Sequence, residues 1–518
     1  MKLPEYLHPI LSSQEANEFE QDFFDGNESL EWKAMNQAGA SIAKQTSLDI
    51  QESLGEKSIA RILVLVGKGH NGGDAIIATR HLLNRLPEAL AVLVFPFGLG
   101  HLRPLVQRSL DDLQVAHGGK LRYLSLRKKG VEAQLENLLG AESIDLCLDG
   151  VLGMQFQPPL RSPAKELIQV VNRMDTIACR ISVDVPSGIG DASDEIAFRA
   201  DFSYATGIAK VGLFRNENRP SVGRIRYLDL GFFDSERRNK NRVILSERVL
   251  DFKRELRGSR SHKKTYGHLV VVGGSSTMPG AILMTVSSAL LSGVGLVTAF
   301  VPESIVAEAA SQIPEAMWVG LPQIPEDGGL TLEGLSLIRG HAKAATAWAI
   351  GPGMGRHPET VTFVEEILKL SKAPVLLDAD ALQPGLGKID WESRSAVVTP
   401  HVGELNRMLG HSLSDSIEET AVTAFAKTHG CVTLLKGSPT LVTDGELIAY
   451  SSFGGPVLAR GGSGDILSGL IGGRIAIPSE DFLQSILEGA AWHGWAADRL
   501  ARSQGQTSAK ATNILGFL

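Results

Sequence analysis

A glycine-rich segment in the last quarter of the chain places a carboxylate beside a candidate anion-binding turn. Gly461-Gly462-Ser463-Gly464-Asp465 precedes an apolar run at residues 466–473, so the pattern predicts a loop that opens a helix. Glycines let backbone N–H groups approach an anion closely, and a helix N-terminus adds a favourable dipole. An acid placed there can take a proton from a hydroxyl that then attacks a phosphoryl group. The segment indicates phosphoryl transfer, although a glycine-rich turn capped by Asp465 has the same pattern.

The elements that must position such residues follow an α/β pattern in both halves of the chain. Continuous apolar runs alternate with polar helical stretches, which predicts parallel sheets covered by helices on both faces. In such sheets, ligands bind beyond the carboxyl ends of the strands. The notable polar side chains of the first half lie at such positions. They follow three different predicted strands, with Asn71 and Asp74 after the first, Asp149 after another, and Asp184 and Ser187 after a third.

The length of the chain predicts more than one domain. A chain of 518 residues is too long for one ordinary hydrophobic core. Residues 234–242 form a charge run that we expect to be solvated, and residues 254–264 are basic and polar. A second α/β series begins at residues 269–274. We place the boundary near residues 240–255 and assign residues 1–245 and 246–518 to two α/β domains.

Composition excludes several classes of function. With 43% hydrophobic and 21% charged residues, the chain has the composition of a soluble globular protein. A net charge of −7 and the lack of a basic stripe argue against nucleic-acid binding. The most apolar stretch, residues 269–301, is interrupted by glycine, serine and proline, and the N-terminus has no signal-peptide pattern. The cysteines Cys147, Cys179 and Cys431 lack metal-ligand spacing and fit a reduced cytoplasm.

Each half of the chain resembles a known enzyme family. The N-terminal half resembles the NAD(P)H-hydrate epimerase family, a Rossmann-like fold, through His70-Asn71-Gly72-Gly73-Asp74 and Ser182-Val183-Asp184-Val185-Pro186-Ser187-Gly188. The C-terminal half resembles the ADP-dependent NAD(P)H-hydrate dehydratase family, a branch of the ribokinase-like fold. The motifs of this second resemblance occur in the family's order. They are Gly273-Gly274-Ser275, Gly280-Ala281, Gly351-Pro352-Gly353-Met354-Gly355, Asp378-Ala379-Asp380-Ala381-Leu382, Thr399-Pro400-His401-Val402-Gly403-Glu404, Lys436-Gly437 and Gly461-Gly462-Ser463-Gly464-Asp465.

The two resemblances together imply the repair of a damaged cofactor. NADH or NADPH that has added water at C6 of the nicotinamide ring is redox-inactive and exists as R and S epimers. The first family interconverts these epimers. The second dehydrates the S form at the expense of ADP and releases NAD(P)H, AMP and phosphate. We therefore expect the partners to be the small molecules NADHX, NADPHX and ADP, with no nucleic acid and no membrane, and we expect a homo-oligomer.

For the dehydratase half, the resemblance implies that Asp465 acts as the base on the hydrate hydroxyl, which attacks the β-phosphate of ADP. Phosphate leaves far more readily than hydroxide, so phosphorylation permits elimination. The residues implied to line the hydrate pocket are Ala281, Gly353, His401 and Asp465. Those implied to bind the nucleotide are Lys436, Gly437, Ser438, Pro439, Thr440 and Gly464. Asp378 and Asp380 have two possible roles. They either form a strand-end pair that organises the site or positions Mg²⁺, or they cap and form a turn.

For the epimerase half, the resemblance implies a K⁺ site and a proton-handling acid, Asp184. The implied K⁺ ligands are Asn71, Asp149 and Ser187, whose hard oxygens suit an alkali cation. The residues implied to bind the hydrate are His70, Asn71, Gly72, Gly73, Asp74, Gly153, Met154, Gln155, Phe156, Gln157, Pro158, Pro159 and Asp184.

The N-terminal half departs from the family pattern at two places. His70 and Ala75 flank the loop where the family commonly has asparagine and glycine, and Gly153-Met154-Gln155 replaces Gly-Thr-Gly. These changes leave the implied K⁺ ligands and Asp184 in place, so we expect epimerase activity. In the other half, Gln383 stands where the family usually has asparagine after Leu382.

Two alternatives use the same residues differently. A ribokinase-like kinase that releases a stable phosphorylated product would also carry Asp465 and its anion loop. The N-terminal half could instead be a non-catalytic binding module. Four polar residues at one sheet edge, Asn71, Asp149, Asp184 and Ser187, argue against a scaffold, which has no need of them.

Overall fold

The computed structural model describes residues 4–54, 59–127, 130–140, 142–233, 240–384, 394–410, 419–479 and 481–518. The chain divides into two units, Met1–Lys240 and Asn241–Leu518. Most of the charge run predicted to be solvated, residues 234–239, lies outside the described residues.

The N-terminal unit alternates strands and helices along the chain. Its elements are β1 (Leu7–Leu11), α1 (Ser13–Phe24), α2 (Glu28–Leu54), β2 (Arg61–Val66), α3 (His70–Arg85), β3 (Leu90–Phe95), α4 (Pro104–His117), β4 (Leu121–Ser125), α5 (Val131–Leu139), β5 (Leu146–Gly150), α6 (Ala164–Arg173), β6 (Arg180–Val183), β7 (Phe202–Thr206), β8 (Ala209–Lys210), α7 (Arg219–Val222) and β9 (Arg224–Leu228).

The sheet of this unit is parallel and buried on both faces. Its spatial order is β4-β3-β2-β5-β6-β7-β9, and every neighbouring pair is parallel. Side chains alternate along β2 between two hydrophobic cores, with Ile62 and Val64 in one and Leu63 and Leu65 in the other. A separate short pair joins β1 and β8 in parallel, with Leu11 opposite Lys210. The carboxyl ends of the main strands therefore meet at one edge.

The C-terminal unit repeats this alternation. Its elements are β10 (Arg242–Leu245), β11 (His268–Val272), α8 (Pro279–Leu291), β12 (Leu296–Pro302), α9 (Val306–Gln312), β13 (Met317–Leu321), α10 (Leu335–His341), β14 (Ala347–Ile350), α11 (Pro358–Leu370), β15 (Val375–Leu377), β16 (Ala396–Val398), α12 (Val402–Leu409), α13 (Glu419–His429), β17 (Val432–Leu435), β18 (Thr440–Thr443), β19 (Ile448–Ser451), α14 (Ser463–Ala476) and α15 (Phe482–Gln504).

The sheet of this unit is mostly parallel, with an antiparallel meander near one end and β10 parallel to β19 beyond it. Its strands run in the order β13-β12-β11-β14-β15-β16-β17-β18-β19-β10. Strands β13 to β17 are parallel to their neighbours, whereas β17, β18 and β19 are antiparallel. The predicted α/β class is confirmed in both units.

Helix α14 is fixed by close contact with α8. A Cβ atom on Gly469 would lie 2.0 Å from Ser288 Oγ and from the Thr285 carbonyl oxygen, so only glycine permits this approach. One turn further on, Gly473 meets Ser292 in the same way. This tight packing sets the position of the α14 N-terminus, which carries Asp465.

The composition led to two expectations, one about the cysteines and one about membrane-spanning segments. Cys147, Cys179 and Cys431 are all buried and free. In the described part of the chain, no helix combines the length and apolar character needed to cross a bilayer.

Candidate active sites

A cavity of 640 Å³ lies at the carboxyl edge of the N-terminal sheet. Its wall includes residues that follow successive strands, among them Lys68 after β2, Phe97 after β3, Val151 after β5 and Asp184 after β6. Helix α1 contributes further residues, including Glu20. The cavity therefore occupies the place where parallel α/β sheets bind ligands.

A buried ion pair lies in this cavity. Lys210 Nζ donates to Asp184 Oδ1 at 2.5 Å, and Thr206 Oγ1 donates to the same oxygen at 3.4 Å. Asp184 and Lys210 are only 7% and 2% exposed, so each charge depends on the other for compensation. Asp184 has a left-handed backbone, φ 66°, and its N–H donates to the Tyr204 carbonyl at 2.9 Å. The strained backbone holds the carboxylate against Lys210.

Two more carboxyl groups share the cavity with this pair. Burial and the nearby Asp184 and Glu20 raise the pKa of Asp74 well above its usual range, and Lys210 only partly offsets this. Asp74 Oδ1 is buried and has no hydrogen-bond partner among the described residues. Burial raises the pKa of Glu20 to about 7; Lys210 opposes the rise, and Asp184 and Glu31 add to it. The cavity thus contains two carboxyl groups, Asp74 and Glu20, whose pKa values are raised by burial.

The three predicted K⁺ ligands are brought together around Leu152. The Leu152 carbonyl accepts from Asn71 Nδ2 at 2.8 Å, and the Leu152 N–H donates to Ser187 Oγ at 2.8 Å. Ser187 in turn donates to Asp149 through its hydroxyl and its N–H, both at 2.7 Å. Asp149 is fully buried, and burial raises its pKa to about 6 against these hydrogen bonds. The sheet therefore gathers an amide, a carboxylate and a hydroxyl from three strand ends.

The predicted Asn-Gly-Gly-Asp loop forms the first turns of α3, which begins at His70. Gly72 and Gly73 are buried, and the space where side chains would stand is filled by the Gly67 carbonyl and by Met35. These two glycines therefore let α3 pack closely, whereas His70, Asn71 and Asp74 line the cavity. Ala75 faces the core rather than the cavity, and its methyl group fits because Gly150 lacks a Cβ.

The predicted substrate segment after β5 contributes only its first part to the cavity. Gly153, Met154, Gln155 and Phe156 line the wall, while Gln157, Pro158 and Pro159 are exposed and are not among the lining residues. Gln155 Nε2 donates to Asn17 Oδ1 of α1 at 2.7 Å. Met154 packs against a hydrophobic cluster that contains Ala16, Phe232 and Phe233. Of the two departures from the family's Gly-Thr-Gly, Gln155 therefore contacts helix α1 directly.

Several cavity residues were not predicted from the sequence. The acidic Glu20 and the cation Lys210 stand in segments without a recognisable motif. A basic wall also lines the cavity; it consists of Lys68, His101 and Arg103, which were not predicted, and of the predicted residue His70. Burial lowers the pKa of His70; Glu31, 3.9 Å from the ring, opposes the change, and Arg103 adds to it. The Arg103 N–H donates to the Lys68 carbonyl at 3.2 Å, which joins two parts of the wall.

The second site is built around the first turn of α14. Its N-cap, Gly462, has φ 92°, a conformation that favours glycine, and Asp465 stands in the first turn. Lys436 Nζ, at the end of β17, donates to Asp378 Oδ1 at 2.9 Å and lies 3.4 Å from Glu404 Oε2. Burial lowers the pKa of Lys436, but these two carboxylates outweigh it, so the pKa is raised and the ammonium remains charged.

Asp465 is surrounded mainly by other acids. Burial raises its pKa to about 6, and Asp378 adds to the rise, while Lys436 opposes it. Ser468, one helical turn further, donates to Asp378 Oδ2 at 2.5 Å. Gly464 lies directly beside this group, since a Cβ there would be 3.5 Å from Lys436 Nζ. The predicted base, cation and glycine are therefore neighbours.

His401 caps the next helix of the site. Its Nδ1 accepts from the N–H groups of Gly403 and Glu404 at 3.0 and 3.3 Å, so it caps the N-terminus of α12. Glu404 returns the bond, because its Oε2 accepts from the His401 N–H at 2.8 Å. The His401 side chain is still 57% exposed. The ring therefore caps α12 and still presents an accessible surface.

Ala281 and Gly353 lie in contact. A Cβ on Gly353, which has φ 63°, would lie 2.8 Å from the Ala281 methyl carbon and 2.8 Å from the Met278 carbonyl oxygen. Asp380 holds the neighbouring loop, since its carboxylate accepts from the Gly355 N–H at 3.1 Å and from Arg356 Nε at 2.8 Å. The Gln383 side chain donates to the Asp380 carbonyl at 2.8 Å and closes the same turn.

A buried histidine supports α14 from behind. His493, on α15, is hydrogen-bonded to the backbone of Ser463, the first residue of α14. Burial lowers its pKa to about 4 in spite of this bond, so the ring is neutral. Sequence reasoning missed His493, which stands in an ordinary helical pattern. Among the described residues, no group of three or more His, Cys, Asp or Glu side chains has an arrangement that could hold a metal ion.

Comparison with known proteins matches each half of the chain to a family model. Residues 269–517 match the model described as NAD(P)H-hydrate dehydratase, and residues 33–212 match the model described as YjeF-related protein N-terminus. The bifunctional NAD(P)H-hydrate repair enzyme of Moorella thermoacetica is 31% identical over 500 residues, which cover 93% of this chain and 91% of that protein. The enzyme of the same description from Synechocystis is 32% identical and covers 84% of this chain and 81% of its own length.

A solved structure is similar to about half of this chain. It is the ADP/ATP-dependent NAD(P)H-hydrate dehydratase of Bacillus subtilis, co-crystallised with ATP and Mg²⁺. It is 27% identical, covers 51% of this chain and 91% of its own, and has a TM-score of 0.43.

Proposed function

Because this chain belongs to the family of bifunctional NAD(P)H-hydrate repair enzymes, we propose that the cavity of its first unit is the epimerase site and that the group around Asp465 is the dehydratase site. An isomerase and a lyase thus share one polypeptide. The observation that supports the dehydratase assignment best is the position of Asp465, a carboxyl with a raised pKa at a glycine-capped helix N-terminus beside Lys436.

The dehydratase step follows from this geometry. Asp465 takes the proton of the C6 hydroxyl, and the oxygen attacks the β-phosphorus of ADP as the bond to the bridging oxygen of AMP breaks. Phosphate then leaves from C6 and a proton leaves from C5, which restores the C5–C6 double bond. A pKa of about 6 suits a base that works near neutral pH. The N–H groups of residues 462–464 would hold the transferred phosphoryl group.

The nucleotide would lie along the segment between β17 and β18. Lys436 begins this segment, and its ammonium is charged and adjacent to Gly464. A glycine at 464 keeps the space between the helix N-terminus and the ammonium open for a phosphate. Gly437, Ser438, Pro439 and Thr440 would contact the AMP portion, and Ala281, Gly353 and His401 would line the hydrate pocket beside Asp465.

Asp378 and Asp380 serve this site as organisers rather than as a pair that binds Mg²⁺. Both oxygens of Asp378 accept hydrogen bonds, one from Lys436 and one from Ser468. The two oxygens of Asp380 also accept hydrogen bonds, one from the Gly355 N–H and one from Arg356 Nε. With four oxygens already engaged, this pair does not fit Mg²⁺, and we assign the ion to the nucleotide phosphates.

We expect ADP to be the phosphoryl donor and AMP the nucleotide product. Attack on the β-phosphorus of ADP releases AMP, so AMP should accumulate in step with restored NAD(P)H. Chromatography of the nucleotide during turnover on the S hydrate measures both species. Controls without hydrate or without enzyme should form no AMP. Turnover with ATP alone and formation of ADP would contradict the assignment of ADP.

The epimerase site would hold K⁺ between Asn71, Asp149 and Ser187. Asp149 is a fully buried carboxyl that hydrogen-bonds only to neutral donors, and no basic side chain pairs with it in the described part of the chain. A cation there would supply the missing compensation for its burial. When bound, K⁺ would hold the loops after three strands in one arrangement around the hydrate.

We expect Asp149→Ala to slow epimerisation by roughly 10- to 100-fold and to remove its dependence on K⁺, because the site loses its one anionic ligand. Conversion of the R hydrate in potassium buffer, compared with tetramethylammonium buffer, measures the effect. Asp149→Asn keeps the shape and serves as the second variant. Crystals grown in potassium should show a spherical peak among the three side chains. Water alone at this position, or epimerisation that needs no K⁺, would contradict the site.

A further inference from the structure

Helix α1 brings an additional carboxyl group into the epimerase cavity. Glu20 lies in the last part of α1 and lines the cavity together with Asp184 and Lys210. It stands more than 160 residues from either partner in the sequence, and no motif marks it. Its position therefore depends on how α1 is attached to the rest of the unit.

The attachment of α1 starts at strand β1. Leu11, the last residue of β1, pairs with Lys210 of β8, and α1 begins two residues later at Ser13. The first N–H groups of α1, those of Ser13 and Gln14, donate to the carboxylate of Asp191 at 2.7 and 3.1 Å. These contacts place the helix start beside the strand that carries Lys210.

The middle and end of the helix are held as well. Asn17 accepts from Gln155 at 2.7 Å, which joins α1 to the loop after β5. Phe19 and Phe23 pack on Phe233 and Phe232, with ring centroids 5.0 and 5.1 Å apart. Because Glu20 lies between these fixed points, its carboxyl group is held in the cavity wall.

The reaction requires two proton-handling groups. C6 of the hydrate carries both a hydroxyl and the ring nitrogen N1, so it can invert by ring opening. A base takes the hydroxyl proton, the electrons of the C6–N1 bond move to N1, and an acid protonates N1. Rotation about C5–C6 turns the resulting aldehyde, and the same steps in reverse close the ring on the other face. No atom or electron is gained or lost overall.

We propose that Glu20 is the acid that protonates N1 and that Asp184, paired with Lys210, is the base. This inference rests on the proposed function of Asp184. The two carboxyl groups belong to one cavity but differ in their surroundings. Asp184 accepts from the Lys210 ammonium and the Thr206 hydroxyl, whereas Glu20 forms no ion pair with a basic side chain in the described part of the chain.

The electrostatics of the cavity agree with this division of roles. Burial raises the pKa of Glu20 to about 7, so near neutral pH it can both release and regain a proton. Burial also raises the pKa of Asp74 well above its usual range, and Asp74 Oδ1 has no hydrogen-bond partner among the described residues. The other charged groups that face Glu20 are Lys210 on β8, Glu31 on α2 and the basic wall.

The test supplies the R hydrate of NADH alone, without nucleotide, so that the dehydratase is idle, and follows the S epimer by chromatography. We expect Glu20→Gln to lower kcat/KM for epimerisation by about 100-fold, because the amide cannot give a proton. Glu20→Asp keeps an acid and should retain most of the rate. Glu18→Gln, at an exposed position of the same helix, is the matched control and should match the unaltered protein.

The pH profile separates proton transfer from a merely structural effect. An acid must be protonated, so kcat/KM of the unaltered protein should fall as the pH rises through about 7, the pKa of Glu20. In Glu20→Gln this decline should be absent. An unchanged rate in Glu20→Gln, or a decline that persists in that variant, would overturn the proposal. If Asp184→Asn is also as fast as the unaltered protein, the assignment of the cavity fails as well; if Asp184→Asn is slow, only the role of Glu20 fails.

Discussion

Asp465→Asn should lower dehydratase turnover by about two to four orders of magnitude, the usual contribution of a general base. The amide has nearly the same shape as the carboxylate but cannot accept the hydroxyl proton. The fold should survive, because the substitution removes a charge from a group of acids in which Asp378 already raises the pKa of Asp465. Recovery of absorbance from reduced nicotinamide, with the S hydrate and ADP, measures turnover.

Two controls keep this result interpretable. Asp251→Asn changes an exposed aspartate of the same unit and should leave turnover unchanged. The pH dependence gives an independent check, since the base must be ionised. Turnover of the unaltered protein should fall as the pH drops through about 6, the pKa of Asp465. Near-normal turnover in a well-folded Asp465→Asn protein would refute the role of Asp465 as the base.

Asp184→Asn should slow epimerisation by a similar factor, about two to four orders of magnitude. Asparagine tolerates the left-handed backbone at this position, where φ is 66°, so the loop should keep its conformation. What is lost is the proton acceptor and the anionic partner of Lys210. Chromatography of the R and S hydrates without nucleotide measures the rate.

The control for this variant lies on the surface of the same unit. Asp111→Asn alters an exposed carboxyl on α4 and should epimerise at the normal rate. Thermal unfolding followed by circular dichroism shows whether the first unit of Asp184→Asn is still folded, since loss of one partner of a buried ion pair is destabilising. A folded Asp184→Asn protein with full epimerase activity would contradict the assignment.

The sequence predicted the α/β architecture because its strands are continuous apolar runs. Both families and both activities were predicted from motifs, and the comparisons confirm them. With them, the alternative of a kinase joined to a non-catalytic module is set aside. The individual site residues and the K⁺ site stay predictions, as does the homo-oligomer.

The motifs predicted the families better than they predicted the backbone conformation and the side-chain contacts of the site residues. The segment at 70–74 was predicted as a loop, yet it begins helix α3, in which Gly72 packs against the Gly67 carbonyl. Glu404 lay within a predicted motif and Ser468 within the predicted helix after Asp465, but their contacts with Lys436 and Asp378 depend on the arrangement of separate strands and helices.

Three site residues could not be predicted from the sequence, and the physical reason is the same for each. Lys210 stands on a two-residue strand, which is too short to show a periodic pattern. Its position is set by pairing with β1, which lies about 200 residues earlier in the sequence. In the sequence, Glu20 looks like any glutamate of an amphipathic helix. It reaches the cavity because α1 forms part of the cavity wall. His493 is a helical residue whose importance comes from its bond to the start of α14. Each depends on long-range contacts that local patterns do not encode.

If two independent sites on one chain complete the repair, both must be active for full recovery of the cofactor. The most direct test incubates the protein with mixed R and S hydrate, ADP and Mg²⁺ and measures the restored reduced nicotinamide. We expect the unaltered protein to restore all of the reduced nicotinamide. Asp184→Asn should restore only the S fraction rapidly, Asp465→Asn should restore almost none, and the two variants mixed should together restore all of it. Failure of the mixture to exceed Asp184→Asn alone, beyond slow spontaneous epimerisation, would contradict the account.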